Sequence, residues 1–147
     1  MLASTMLEIV LPRINQTYEV ESKEYKITYA GETIKVSGDN IPVGIFIKIS
    51  GSRFNDGYYE VIDKLSGGYH LDKVVTKGAG VAKITLLSIP HGLKDIVRQM
   101  ANYAREQKEE RIKSSSLPGM SITYFDEEDI FNKFSGMLGA YRRLKTI

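Results

Sequence analysis

The two histidines are the side chains best suited to acid–base chemistry or metal binding in this chain of 147 residues. His70 follows a tyrosine in a β-rich stretch, and His91 lies where a helix is predicted to begin. Neither belongs to a His-x-His or His-Glu-x-x-His pattern, and the absence of cysteine excludes thiolate sites and cysteine nucleophiles. An ordinary structural role is therefore favoured for both, and we expect no enzyme activity, catalytic residue, metal site or cofactor.

Two further motifs invite a chemical interpretation. The four acids at residues 126–129 are contiguous, so on a helix they point in different directions, and capping the start of a helix suits them better than binding Mg²⁺. The glycine pair in residues 77–80 lacks the spacing of a phosphate loop or a dinucleotide fingerprint. We interpret residues 77–80 as a hairpin turn.

Aromatic side chains in the β-rich half could stack on the bases of a single-stranded nucleic acid. The candidates are Tyr25, Tyr29, Phe54, Tyr58, Tyr59 and Tyr69. The formal charge of the chain is only +2, with 20 basic and 18 acidic residues, so the basic footprint of a nucleic-acid binder is missing. A single-stranded nucleic-acid-binding barrel is kept as an alternative function.

The elements that position these residues change in character near Pro90. Up to Ser88, runs rich in β-branched and aromatic residues predict five strands separated by glycine-containing turns. The predicted strands are residues 25–29, 33–36, 44–49, 58–62 and 81–87. Such short, evenly spaced strands indicate a small antiparallel barrel or sandwich.

A long amphipathic helix is predicted from Pro90 onward, because apolar residues recur at helical spacing. Its apolar stripe consists of Leu93, Ile96, Val97, Met100 and Ala104. A break at residues 114–119, a short extended segment at 121–124 and a second helix capped by Asp126 follow. The predicted fold class is α+β, with a β-rich domain and N-terminal segment over residues 1–88 and a helical region over 89–147.

The C-terminal helix carries more apolar and aromatic residues than a short helix can bury alone. We expect this tail to dock, either on the stripe of the preceding helix in its own chain or on a partner protein, and both can hold at once.

We predict no membrane span, since the longest apolar runs are far shorter than the roughly 20 residues that a span needs. The N-terminus has no basic region of the kind that opens a signal peptide, so we expect synthesis in the cytoplasm of the producing cell.

Three segments, in order, resemble the small head-tail connector or adaptor proteins of tailed bacteriophages and prophages. They are the helix at residues 89–103, the stretch 112–124 and the closing run 137–144. In that family a helix leads into a segment similar to I-K-S-E-x-I-G-x-x-S-x-x-Y, and the chain ends in a motif similar to L-x-x-Y-R-R. Here Ser115 replaces the acid and Pro118 enters the turn. The resemblance covers about the last two fifths of the chain, whereas the β-rich half, including its Asn-Asp-Gly-x-Tyr turn at 55–59, matches phage structural modules only loosely.

The resemblance implies a non-enzymatic structural protein of the virion neck, made in the host cytoplasm. Such adaptors form a homo-oligomeric ring, typically of twelve copies, beneath the portal protein and extend the DNA channel toward tail-side connector or terminator proteins. A near-neutral subunit suits a conduit through which genomic DNA passes without specific binding. The residues it assigns to contact with the portal or a neighbouring subunit are Phe131, Phe134, Met137, Leu138, Tyr141, Arg142, Arg143 and Leu144.

A tail terminator or completion ring is a second function in the same structural class. The β-rich half favours it, since tail proteins are more often dominated by strands.

Overall fold

The computed structural model describes residues 2–38, 41–114 and 127–142. These contain the helix α1 (Ala3–Arg13), six strands, two further helices and a closing 3₁₀ turn. The strands are β1 (Glu19–Ala30), β2 (Thr33–Val36), β3 (Phe46–Ser50), β4 (Gly57–Leu65), β5 (Gly68–Leu71) and β6 (Gly78–Leu87). The helices are α2 (His91–Ser114) and α3 (Glu127–Leu138), and the 3₁₀ turn is Gly139–Tyr141. The chain divides into a β unit, Thr17–Pro90, and a helical unit made of residues up to Gln16 and from His91 onward.

The six strands of the β unit form a closed barrel in the order β1-β2-β5-β4-β3-β6. Every ladder is antiparallel. The barrel closes because β6 pairs with both β1 and β3. The prediction of a small antiparallel β architecture within an α+β fold is confirmed, and of its two alternatives the barrel is the one observed.

Alternate residues of the strands fill the interior of the barrel, as the two-residue period of a strand requires. Each strand contributes aliphatic or tyrosine side chains to one continuous apolar cluster. Its members are Ile27, Tyr29, Ile34, Ile41, Ile47, Ile49, Tyr59, Val61, Tyr69, Leu71, Val75, Ala82 and Ile84.

Two glycines make the tight hairpins of the barrel possible. Gly31, between β1 and β2, has a φ of 60°, and Gly67, between β4 and β5, has a φ of 82°. Side chains other than glycine rarely adopt these values, which explains why the turns at these positions were predictable.

Two predictions for the β unit were incomplete or wrong. The strand β5 was not predicted, because it has only four residues and two of them are glycine and histidine. The interpretation of residues 77–80 as a hairpin turn was wrong, since Gly78–Gly80 belong to β6 and pair with Tyr29–Ile27 of β1. At Gly78 and Gly80 the strand β6 continues, but its inward-facing positions have no side chain.

In the helical unit, α1 packs on α2 and α2 packs on α3. The apolar stripe predicted for α2, from Leu93 to Ala104, is buried. The helix α1 was not predicted, and its residues group with α2 and α3 in the structure, whereas the sequence analysis placed them with the β-rich domain. The predicted extended segment at 121–124 and the cap at Asp126 lie outside the described residues.

Among the described helices, none combines the length and the apolar character that crossing a membrane requires.

Candidate functional site

The residues assigned to partner contact divide into a buried and an exposed group. Phe131, Phe134 and Leu138 are buried within the chain, at 9%, 5% and 4% exposure. Met137 is 49% exposed, and Arg142 is exposed as well. Tyr141 is partly buried, and Arg143 and Leu144 lie outside the described residues.

The buried group is held by contacts inside the helical unit. The Phe134 ring meets Tyr103 of α2 edge to face, with 6.0 Å between the ring centroids. The Arg13 guanidinium lies 4.2 Å from the centroid of the Phe131 ring and forms an ion pair of 2.6 Å with Glu128. These side chains therefore dock the C-terminal helix on its own chain, which is one of the two expected arrangements.

Tyr141 is also fixed within the helical unit. Its hydroxyl lies against Gly92 so closely that a side chain at position 92 would overlap it. Its backbone carbonyl accepts a hydrogen bond of 3.2 Å from Nε2 of Gln16. Tyr141 thus contacts the start of α2 through Gly92 and the segment after α1 through Gln16.

What remains for a partner is the outer surface of α3 and the turn after it. Met137 and Arg142 are the members of the assigned set that project from this surface. Arg142 also lines a shallow cleft of about 180 Å³, together with Arg13, Phe131 and Leu138 among others. Methionine and arginine are both enriched in protein interfaces.

A second cleft, of about 380 Å³, opens at one end of the barrel. It lies between the β3–β4 loop, residues 51–56, and the first residues of β6. We call it the barrel-end cleft. Its lining residues are Tyr29, 51–55 and 76–81.

The barrel-end cleft exists because the inward side chains of β6 shrink toward this end. Ile84 and Ala82 point into the core, and the next two positions of the same parity are Gly80 and Gly78. A Cβ atom added at either glycine would meet nothing within 4 Å. The missing side chains leave open space above Tyr29, which pairs with Gly78 across the β1–β6 ladder.

The β3–β4 loop is held in place by two of its own side chains. The amide of Asn55 donates to the carbonyl of Thr76 at 3.0 Å and accepts from its N–H at 2.7 Å. The Asp56 carboxylate accepts from the N–H and the hydroxyl of Ser52, at 2.8 and 2.7 Å. These hydrogen bonds from Ser52 lower the pKa of Asp56 below its ordinary value of 3.8.

Tyr29 is the polar group at the bottom of the barrel-end cleft. It is 5% exposed, and its hydroxyl is closed off from solvent and makes no well-formed hydrogen bond among the described residues, although the Ser52 side chain lies close enough to lower its pKa. The other two buried tyrosines are satisfied: the Tyr59 hydroxyl donates to the carbonyl of Asn55, and the Tyr69 hydroxyl accepts from the N–H of Ile41. Tyr29 is therefore the least well satisfied of the three buried tyrosines, and it lines the cleft.

Burial is the largest effect on the pKa of the Tyr29 hydroxyl and raises it. A hydrogen bond with the Ser52 side chain lowers this pKa, the nearby charge of Asp56 raises it, and the net shift is upward. The hydroxyl is therefore protonated at neutral pH.

Replacing Asp56 by alanine is expected to loosen the β3–β4 loop at neutral pH. Because the carboxyl pKa is lowered by folding, its stabilising effect is present above the ordinary value of 3.8 and is lost as the pH falls through the lower folded value. Hydrogen exchange of the Ser52 amide measures this, as the rate relative to that of an unstructured amide at the same pH. Protection should be lost in Asp56→Ala at neutral pH, and in the natural chain only as the pH falls below 3.8. Asp56→Asn, which keeps an acceptor oxygen, should lie between them, and unchanged exchange in Asp56→Ala would exclude this role.

The remaining chemical candidates lie in ordinary surroundings. Nε2 of His70 lies 2.9 Å from a carboxylate oxygen of Glu32 at the surface, and His91 is the first residue of α2. In the described ranges, no group of three or more acids or histidines is placed to hold a metal ion. Of the six aromatic residues proposed to stack on bases, Tyr29, Tyr59 and Tyr69 are core residues, while Phe54 is 68% exposed at the barrel-end cleft.

Sequence reasoning missed the barrel-end cleft as a site, although one signal for it was present. The alternation Gly78, Gly80, Ala82, Ile84 has the period of a strand whose inner side chains become smaller toward one end. We interpreted the two glycines as a turn instead. No protein family, no curated protein and no solved structure matches this chain.

Proposed function

We propose that this chain is a structural virion protein, a head-tail adaptor that forms a ring beneath the portal and extends the DNA channel toward the tail. The observation that carries the proposal is the order of segments that resemble that family, from the helix at residues 89–103 to the closing Leu-x-x-Tyr-Arg-Arg motif at 138–143.

Features of the helical unit support this proposal. The apolar stripe of α2 is buried, and α2 packs against α1 and α3. The helix α3 is anchored by Phe131, Phe134 and Leu138. An anchored helix can present a fixed surface to a partner without the cost of ordering on binding. The near balance of 20 basic and 18 acidic residues also suits a subunit that lines a channel without retaining DNA.

In this proposal the assigned contact residues have two roles. Phe131, Phe134 and Leu138 fix α3 on its own chain, and Met137 and Arg142 contact the portal or a neighbouring subunit. Each ring subunit has a neighbour on either side, so exposed apolar area of this kind has a use in the assembly.

A terminator or completion ring on the tail side is the second candidate. The closed six-stranded barrel favours it, since the β unit, Thr17–Pro90, makes up half of the chain whereas small connectors are usually helical bundles.

A photo-crosslinking amino acid in place of Met137 distinguishes the two functions in assembled particles. An adaptor is expected to crosslink to the portal protein, whereas a crosslink to a second copy of the chain is expected of either ring. A terminator would crosslink to the tail tube, which would contradict the first proposal and support the second. Crosslinking to neither, in particles that contain the chain, would exclude α3 as a contact surface in both.

A further inference from the structure

The ladders on the two sides of β6 end at different places. The β1 ladder continues along β6 to Gly78, whereas the β3 ladder ends with the pair Ser50–Lys83. Residues 78–81 are therefore paired on one side only, and all four are exposed. Because the N–H and C=O groups of a strand point alternately to its two sides, two of these four residues direct both groups to the open side.

We propose that this open edge and the barrel-end cleft bind an extended acidic segment of a partner protein, which adds to the barrel as a further strand beside β6.

The open edge has the features of a site for strand addition. Free N–H and C=O groups in a row are a template for another chain, and proteins usually cover them or protect them with charges and prolines. Here they are uncovered among the described residues and lie beside a cleft, with glycine at 78 and 80 so that a second backbone can approach closely. The barrel-end cleft provides space for a side chain of the bound segment.

The floor and rim of the cleft provide further contacts. Tyr29, which is largely buried, forms part of the lining of the cleft. Phe54 and Val81, 68% and 56% exposed, offer apolar contacts to the side chains on either side. A strand that adds to a sheet pairs through its backbone, while its alternate side chains occupy pockets. Here the open edge would pair with the backbone, and the cleft would accept a side chain.

The charge at the cleft selects an acidic occupant. Arg53 and Lys77 both line it, and the guanidinium of Arg53 lies 5.1 Å from the centroid of the Phe54 ring. The nearby acid, Asp56, is engaged by the Ser52 N–H and hydroxyl. The excess of positive charge favours carboxylates on the bound segment. The proposal concerns the barrel and holds whether or not α3 contacts a portal.

Selection of short random peptides, displayed on their own mRNA, against the immobilised full-length chain tests this proposal. The selected peptides are expected to be acidic and to alternate β-branched with polar residues. On addition of a selected peptide, the backbone amides on the open side of residues 78–81 should become protected from hydrogen exchange. Selection of no peptide, or of peptides without an acidic excess, would overturn the proposal.

Two variants of the chain separate this site from adventitious binding. Gly80→Leu fills the cleft, and the position is suited to a side chain because its φ is not positive and its Cβ meets nothing within 4 Å. It should weaken peptide binding by about tenfold or more, because the inserted side chain of the peptide loses its place. The double variant Arg53→Glu, Lys77→Glu should weaken it similarly. Its matched control Lys35→Glu, Lys64→Glu, with the same change of charge on exposed positions of β2 and β4 that do not line the cleft, should not.

Equal binding by the natural chain and both cleft variants would overturn the proposal. If no peptide is selected, and an oligothymidine binds with chemical-shift changes at Arg53 and Phe54, the cleft is instead a site for single-stranded nucleic acid. Self-association that disappears in Gly80→Leu would assign the edge to a second copy of this chain.

Discussion

A Phe134→Asp variant is expected to unfold the helical unit. Phe134 is 5% exposed and packs edge to face on Tyr103. Truncating a buried phenylalanine to alanine costs about 3–5 kcal/mol, and a buried carboxylate without a partner adds to that cost. Since native domains are stable by only about 5–15 kcal/mol, this single change removes most or all of the stability of the unit.

Hydrogen exchange resolved by residue measures this result. Amides of α2 and α3 should lose protection, whereas amides of the barrel strands should keep it. The barrel strands hydrogen-bond only to one another, within residues 19–87. Asn132→Asp is the matched control, since it places a carboxylate at an exposed position of the same helix. If the amides of α3 exchange as slowly in Phe134→Asp as in the natural chain, the Phe134 ring does not anchor the helix.

A Met137→Asp variant is expected to remain folded and, under the adaptor proposal, to fail to bind the portal. Met137 is 49% exposed, so the carboxylate can stay in water in the free protein, but an interface would have to bury it. Loss of a central contact residue costs about 2 kcal/mol or more, which corresponds to about 30-fold in affinity. Binding to immobilised portal, measured beside the circular dichroism of the free variant, separates the two effects.

Met137→Leu is the control for that experiment. Leucine has a similar volume and keeps the apolar contact, so binding should be close to that of the natural chain. If Met137→Asp binds the portal as tightly as Met137→Leu, the exposed surface of α3 is not the contact.

The variants Phe134→Asp and Met137→Asp separate two roles that the sequence alone does not distinguish. From the sequence, Phe134 and Met137 were both apolar residues of one helical tail, and docking on the chain itself or on a partner were both open. Helical spacing predicts which residues share a face but not what covers that face. The packing of Phe134 on Tyr103 and the exposure of Met137 required the structure.

Local patterns predicted most elements of the fold. The stripe from Leu93 to Ala104 identified α2 because five residues repeat at helical spacing, and the hairpin at Gly31 follows from its left-handed backbone. The helix α1 was missed although Leu7, Val10, Leu11 and Ile14 have the same spacing, since the segment is short and contains Pro12 in its last turn.

Long-range pairing could not be predicted from local patterns. Whether five or six strands make a barrel or a sandwich depends on β6 pairing with both β1 and β3, which are far apart in the sequence. The open edge beside the barrel-end cleft depends on the same pairing, because the β3 ladder stops at Lys83 while the β1 ladder continues to Gly78. No local motif encodes the difference between two ladder lengths.

The most direct test of the proposed adaptor function is the native mass of the purified chain, alone and mixed with the portal protein encoded in the same gene neighbourhood. The adaptor proposal predicts that the chain joins the portal in a complex of defined stoichiometry, as a ring that matches the symmetry of the portal. A chain whose mass is the same with and without the portal would contradict the proposal. If that chain were also retarded by single-stranded DNA, the barrel would become the functional part of the molecule.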